Sequence, residues 1–176
     1  MVKARIQVLV GMIVFTAAMR LVPHPPNFTP VMAMALFAGA YVSSKRLAFA
    51  VPLGAMLLSD LLIGPHQLLP VVYVCILLTT CLGFLLRSRK GLVPVSAAAV
   101  GSSVLFFVVT NFAVWSSGTL YPMTAEGLVA SYVAAIPFFH NTLLGTLAYS
   151  AILFGGFSLA ERLFPVLKEP AYEVSA

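Results

Sequence analysis

The chain has 176 residues, 61% of them hydrophobic and 9% charged, with a mean hydropathy of +1.03. A soluble domain of this length cannot bury so much apolar surface, so the composition points to an all-α integral membrane protein forming a single domain, residues 1–176. The formal charge of +5 raises nucleic acid as a partner, but the cations sit between apolar runs, which sets nucleic acid aside and makes membrane lipids the surroundings.

Six apolar runs read out in order as spans: residues 5–21, 30–43, 47–63, 68–86, 93–115 and 140–162. The first begins like a signal peptide, with cations ahead of an apolar core. Its small-residue stretch Thr16-Ala17-Ala18 is followed at once by Met19-Arg20 and further spans, so a retained first span is expected. Next comes a turn carrying Pro23, Pro25, Pro26 and Pro30. Proline fixes φ and biases the residue before it toward extended geometry, so the first helix must stop here. The result is a stiff polar turn bearing Arg20, His24 and Asn27, read as the mouth of a binding site.

The second run has 14 residues, about 21 Å of helix against a hydrocarbon core of about 30 Å. Such a segment must leave a funnel, bury its end or thin the bilayer, and its polar flank predicts an outward vestibule. The third run ends near Asp60, with His66 in the turn beyond it. In the fourth, Cys75 and Cys81 are separated by about 9 Å of helical rise, too far for a disulfide. Both are read as packing residues. The fifth run ends in Thr110, Asn111 and Trp115.

Residues 116–139 are predicted to form an extra outer interfacial helix. Thr124 is its N-cap, Glu126 lies in its first turn, and Pro137 ends it. This segment is too short to span and acts as a lid held by Tyr121 and Tyr132. The sixth run opens with His140 and Asn141, and Asn141, Gly145 and Tyr149 share one polar, small-residue face suited to a bundle interior. Small residues also recur as Ala4, Gly11 and Ala18, as Ala35-x-x-x-Gly39, as Ala55-x-x-x-Ser59 and as Ala151-x-x-x-Gly155, spacings that let helices approach closely in lipid.

Six spans with both termini cytoplasmic put nine of the ten Lys and Arg residues inside, namely Lys3, Arg5, Lys45, Arg46, Arg87, Arg89, Lys90, Arg162 and Lys168. Arg20 alone remains outside. Five or seven spans would move Arg162 and Lys168 to the wrong face. The other polar groups gather at the outer ends of the spans. Among them, a carboxylate in an apolar helix costs roughly 2.5–3.5 kcal/mol on insertion scales, so Asp60 needs a partner, and Arg20 is the candidate. The pair either pins two helices or binds a polar part of a ligand, and the two roles are compatible. Trp115 and Tyr121 read either as belt aromatics or as stacking walls.

His24, His66 and His140 lack metal-site spacing, so no metal is expected. No P-loop, catalytic triad, paired-aspartate or H-E-x-x-H pattern occurs, so neither an enzyme nor a cofactor is expected. Ionisable groups do not thread the inner halves of the spans, which argues against a self-sufficient proton-coupled carrier.

The strings RLVPHPPNFTPVMAMALFAGAY, LLSDLL, VTNFAVWSSGTLYP and ASYVAAIPFFHNTLLGTLAYSAILFGG resemble a bacterial membrane family described as transport proteins of unknown function. That family is similar to the substrate-binding S components of energy-coupling factor transporters. The resemblance covers nearly the whole chain. It implies an S-component-like bundle in the bacterial cytoplasmic (inner) membrane, taking up a small, vitamin-like organic solute. A transmembrane coupling protein and ATPase subunits would be its partners. S components often carry an A-x-x-x-A docking motif on the first span, where this chain has only Ala4, Gly11 and Ala18. The metal-specific members carry an N-terminal histidine motif that is missing here, which makes a transition-metal uptake component the weaker reading. The expected contacts to the solute are Arg20, His24, Asn27, Asp60, Asn111, Trp115, Tyr121, Tyr132, His140 and Asn141. The rival expectation is a non-transporting assembly subunit that docks a partner through its polar outer face.

Overall fold

The computed structural model describes residues 2–64 and 67–168, and every regular element among them is helical. Helix α1 (Val2–Ala18) runs into a 3-10 turn at Met19–Leu21. It is followed by α2 (Val31–Tyr41), α3 (Lys45–Ile63), α4 (Leu69–Leu85) and α5 (Leu92–Ser116). The chain continues through α6 (Ala125–Ser150), a π turn (Ala151–Gly155) and α7 (Gly156–Leu163), and closes with a 3-10 turn at Pro165–Leu167. Four stretches are long and apolar enough to cross a membrane: Lys3–Leu21, Lys45–Ile63, Leu92–Ser116 and Ala125–Leu163. Helices α2 and α4 are apolar but shorter. The chain is an all-helical membrane protein.

Helix α2 is the centre. All eleven of its residues are buried, as expected of a helix apolar on every side. At about 1.5 Å per residue it covers only about 16 Å, and its neighbours, rather than lipid, enclose it. Its tightest approach is to α4, through Gly39 and Gly83. A Cβ on Gly83 would stand 2.5 Å from the Leu36 carbonyl oxygen, and one on Gly39 would overlap the Thr80 carbonyl. The predicted Ala35-x-x-x-Gly39 spacing therefore does bring two backbones together, but its partner glycine was not foreseen. Around the lower half of α2, Phe37 packs edge-on against Phe154 and Phe157, and Tyr41 against Phe157.

Cations close this end. Arg87 donates from Nε to the Gly39 carbonyl (3.1 Å) and from Nη2 to the Val42 carbonyl (2.8 Å). These are carbonyls left without helical partners where α2 ends. Arg5 is buried, bonds the Leu167 carbonyl, and pairs with Glu161 at 2.5 Å. Its guanidinium lies over the Phe157 ring at 5.1 Å. The first and last helices are thus joined by one side chain.

The largest departure from expectation lies in residues 116–139. There is no separate interfacial helix ending at Pro137, because α6 runs through Pro137, and with the π turn and α7 it forms one 39-residue rod. Proline removes one backbone donor and crowds the preceding turn, a cost near 3 kcal/mol in a soluble helix interior. In a bundle, packing offsets that cost. Here Phe107 of α5 stacks between Tyr132 and Phe139, one on each side of the proline (centroids 5.5 and 5.0 Å). The rod is about 58 Å long, so even at a 40° tilt it outreaches a hydrocarbon core of about 30 Å. The predicted start holds: Thr124 caps the helix by accepting from the Gly127 backbone N–H, with Glu126 in the first turn.

Candidate functional site

The Pro-rich turn folds back onto α6. Asn27 adopts a left-handed conformation (φ 64°), and the turn is cross-linked by Phe28 N–H to the Pro25 carbonyl (3.0 Å) and Thr29 N–H to the Asn27 carbonyl (3.0 Å). Asparagine tolerates that backbone region better than most residues. The landing strip is the face formed by Asn141, Gly145 and Tyr149. Asn141 Nδ2 donates to the Pro26 carbonyl at 2.9 Å, and Tyr149 meets the Phe28 ring at 5.9 Å. A Cβ on Gly145 would come within 3.1 Å of Thr29 N. The polar, small stripe receives the turn, so Asn141 acts as a latch.

Beneath this turn lies a cavity of about 380 Å³ between α2, α3, α4, α5 and α6, within the size range of small-molecule sites. Its walls are largely apolar, with Phe106 and Phe107 from α5, Phe138 and Phe139 from α6, and Met32 and Met56 from α2 and α3. Polar groups enter from the turn as Arg20, Asn27 and Thr29, from α5 as Thr110 and Asn111, and from α6 as Thr142 and Thr146. Three of these already bond within their own helices: Thr110 to the Phe106 carbonyl, Thr142 to the Phe138 carbonyl, and Asn111 Nδ2 to the Phe107 carbonyl.

Arg20 carries the electrostatics. Its side chain is 10% exposed and that of Asp60 is 3% exposed, with Arg20 Nη1 2.8 Å from Asp60 Oδ1. The same nitrogen donates to Ser59 Oγ, and Ser59 donates in turn to the Met56 carbonyl at 2.8 Å. Asp60 Oδ2 accepts from the Tyr73 hydroxyl at 3.1 Å. Oδ1 is in ion-pair contact with Arg20 yet accepts no aligned hydrogen bond among the described residues. The pairing of α1 with α3 through Arg20 and Asp60 is as expected, and Tyr73 of α4 extends it to a third helix.

Of the residues singled out by sequence, Arg20, Asn27 and Asn111 line the cavity, and Asp60 stands behind Arg20. The others lie elsewhere. His24 turns its Nδ1 onto the Val22 carbonyl at 2.6 Å. Trp115 does not form a wall, since its Nε1–H is shared between the Pro122 and Thr124 carbonyls, each at 3.1 Å, and so fastens the α5–α6 loop. Tyr132 likewise bonds the Val108 carbonyl and ties α6 to α5. Tyr121 and His140 do not line the cavity, and His66 lies outside the described residues. Among the described residues no group of three His, Cys, Asp or Glu could hold a metal ion. Both cysteines are free thiols, Cys75 buried and Cys81 exposed. Sequence reading missed Tyr73 and the phenylalanine walls, whose apolar character is indistinguishable from a lipid-facing surface in a single chain.

No curated protein and no solved structure matches the chain. A profile described as "Family of unknown function (DUF6580)" matches residues 1–167. The chain belongs to that family.

Proposed function

We propose that this member of the family is the substrate-binding membrane subunit of an uptake system for a small, vitamin-like organic solute. In this reading all six helical segments cross the bacterial cytoplasmic membrane, with the Arg87 end facing the cytoplasm and the Pro-rich turn facing out. A separate transmembrane coupling protein and ATPase subunits supply the energy. The observation that carries the reading is the cavity of about 380 Å³ at one end of the bundle, with the partly buried Arg20 guanidinium on its wall. Supporting it, the opposite end is filled by α2 and the ring cluster of Phe37, Tyr41, Phe154 and Phe157. A solute held in the cavity has no straight path through that packing. Delivery then requires the binding subunit to change its orientation or its packing, and this chain carries no nucleotide-hydrolysing motif to drive such a step.

The capture step follows from the turn. The Pro-rich segment lies over the cavity and is latched by the Asn141 bond to the Pro26 carbonyl, with Phe28 resting on Tyr149. Breaking one hydrogen bond and one ring contact lets the turn lift. Entry of an apolar solute releases water from the phenylalanine walls, and reclosure restores the latch.

The test is retention. Purified protein in nanodiscs is incubated with a bacterial small-molecule extract, and bound solute is identified by native mass spectrometry. Wild type is expected to retain a discrete small molecule, and Thr142→Trp, which fills the cavity, to lose it. Equal retention by both, or none by wild type, overturns the reading. A stoichiometric protein partner that copurifies equally with both forms, with no retained solute, favours an assembly subunit instead.

A further inference from the structure

Resting on that binding-site reading, we propose that the solute is electrically neutral and carries a planar amide or lactam edge on an aromatic-sized body, and that anions are selected against. Arg20 is the one ionisable side chain among the described residues lining the cavity. Its charge is already met, because Asp60, which does not line the cavity, pairs with it at 2.8 Å, and that carboxylate is 3% exposed. A carboxylate ligand would place a second anion against a guanidinium that has one. The site would then hold a net negative charge away from water, which is costly. A neutral acceptor avoids this.

Arg20 still has donors to offer. Nη1 serves Asp60 and Ser59, while Nε and Nη2 have no partner among the described residues. A guanidinium cannot accept, so what meets these N–H groups must be an acceptor such as a carbonyl oxygen. Asn111 supplies the complement. The Phe107 carbonyl can only accept, so the Asn111 atom facing it at 2.8 Å is Nδ2. That leaves Oδ1 without a partner among the described residues, and Oδ1 can accept from a ligand N–H. Arg20 thus offers N–H donors and Asn111 a carbonyl acceptor to the same cavity, which are the partners that the C=O and N–H of an amide need. Phe106, Phe107, Phe138 and Phe139 give the remainder a surface for a flat ring.

The probes are benzamide and benzoate, equal in size and differing in charge, titrated into the protein in nanodiscs by calorimetry and followed by thermal shift. Benzamide is expected to bind on the order of tenfold more tightly than benzoate. In Asp60→Asn the Arg20 charge is unopposed, and the preference is expected to reverse. Should that variant not fold, Asn111→Leu replaces it: benzamide affinity falls severalfold while benzoate is unchanged. Benzoate preferred by wild type overturns the inference, as does binding of neither probe. Neither of those results touches solute retention from extract, and loss of retention together with an intact benzamide preference would strike the uptake reading alone.

Discussion

At the Arg87 end of the bundle, cations point inward and close the structure. Arg87 covers two carbonyls at the end of α2, and Arg5 joins α1 to Glu161 of α7 and to the Leu167 carbonyl. At the opposite end the partly buried Arg20 stands beside a cavity, and a proline-stiffened turn held by Asn141 covers it. Both ends use arginine, yet at the first Arg87 and Arg5 meet backbone carbonyls and a carboxylate, whereas at the second Arg20 keeps donors facing a cavity. The contrast separates stability from binding. Cations packed against backbone and rings rigidify the bundle, and a cation with donors left beside a void can recognise something else.

Mutations at the two ends test that separation. The largest effect is expected for Asp60→Ala, which leaves the largely enclosed Arg20 without its counter-ion and destabilises the protein by about 3 kcal/mol in detergent unfolding. The Arg20→Met, Asp60→Leu double variant should recover much of that loss while binding no amide. A double variant as unstable as Asp60→Ala would show that the pair is not the source. Arg87→Met comes next, at about 1.5–3 kcal/mol, because a charged donor is withdrawn from the α2 carbonyls. Benzamide affinity should stay at the wild-type value, and a parallel loss of affinity would erase the distinction between the ends. The smallest stability change, about 1 kcal/mol, is expected for Asn141→Leu. Its signature is kinetic: benzamide should dissociate faster in stopped-flow release as the turn lifts more often. Unaltered release would remove Asn141 as the latch.

Much of the frame was readable from residue order. The apolar runs at 47–63, 68–86 and 93–115 lie within two residues of α3, α4 and α5 at each end, because long apolar segments bounded by cations and glycines leave few alternatives. The Thr124 cap and the Arg20–Asp60 pair followed from local chemistry, since a helix start needs an acceptor and a buried carboxylate needs a cation. The continuity of α6 through Pro137 did not follow. A local rule ends a helix there, and packing against α5, with Phe107 between Tyr132 and Phe139, offsets it. The backbone partners of Trp115 and Tyr132 did not follow either, for a related reason. An aromatic residue near a helix end looks the same in sequence whether its polar atom faces water, ligand or a backbone carbonyl of another element. Tyr73 was invisible because nothing in its own segment reveals that the start of α4 abuts the end of α3. Gly83 was missed likewise, since its role is defined by Leu36 and Gly39 on another helix.

The enclosure of α2 bears on how the chain is made. Eleven residues are too few to settle in lipid unaided, and the surfaces that cover them are synthesised later. Gly83 arrives some forty positions after Gly39, and the Phe154 and Phe157 rings that close on Phe37 arrive more than a hundred positions after it. The middle of the molecule is therefore among the first parts translated and the last to be completed. Until the C-terminal helix emerges, α2 has no finished housing, and a nascent chain stopped before Phe154 exposes an open seam along it.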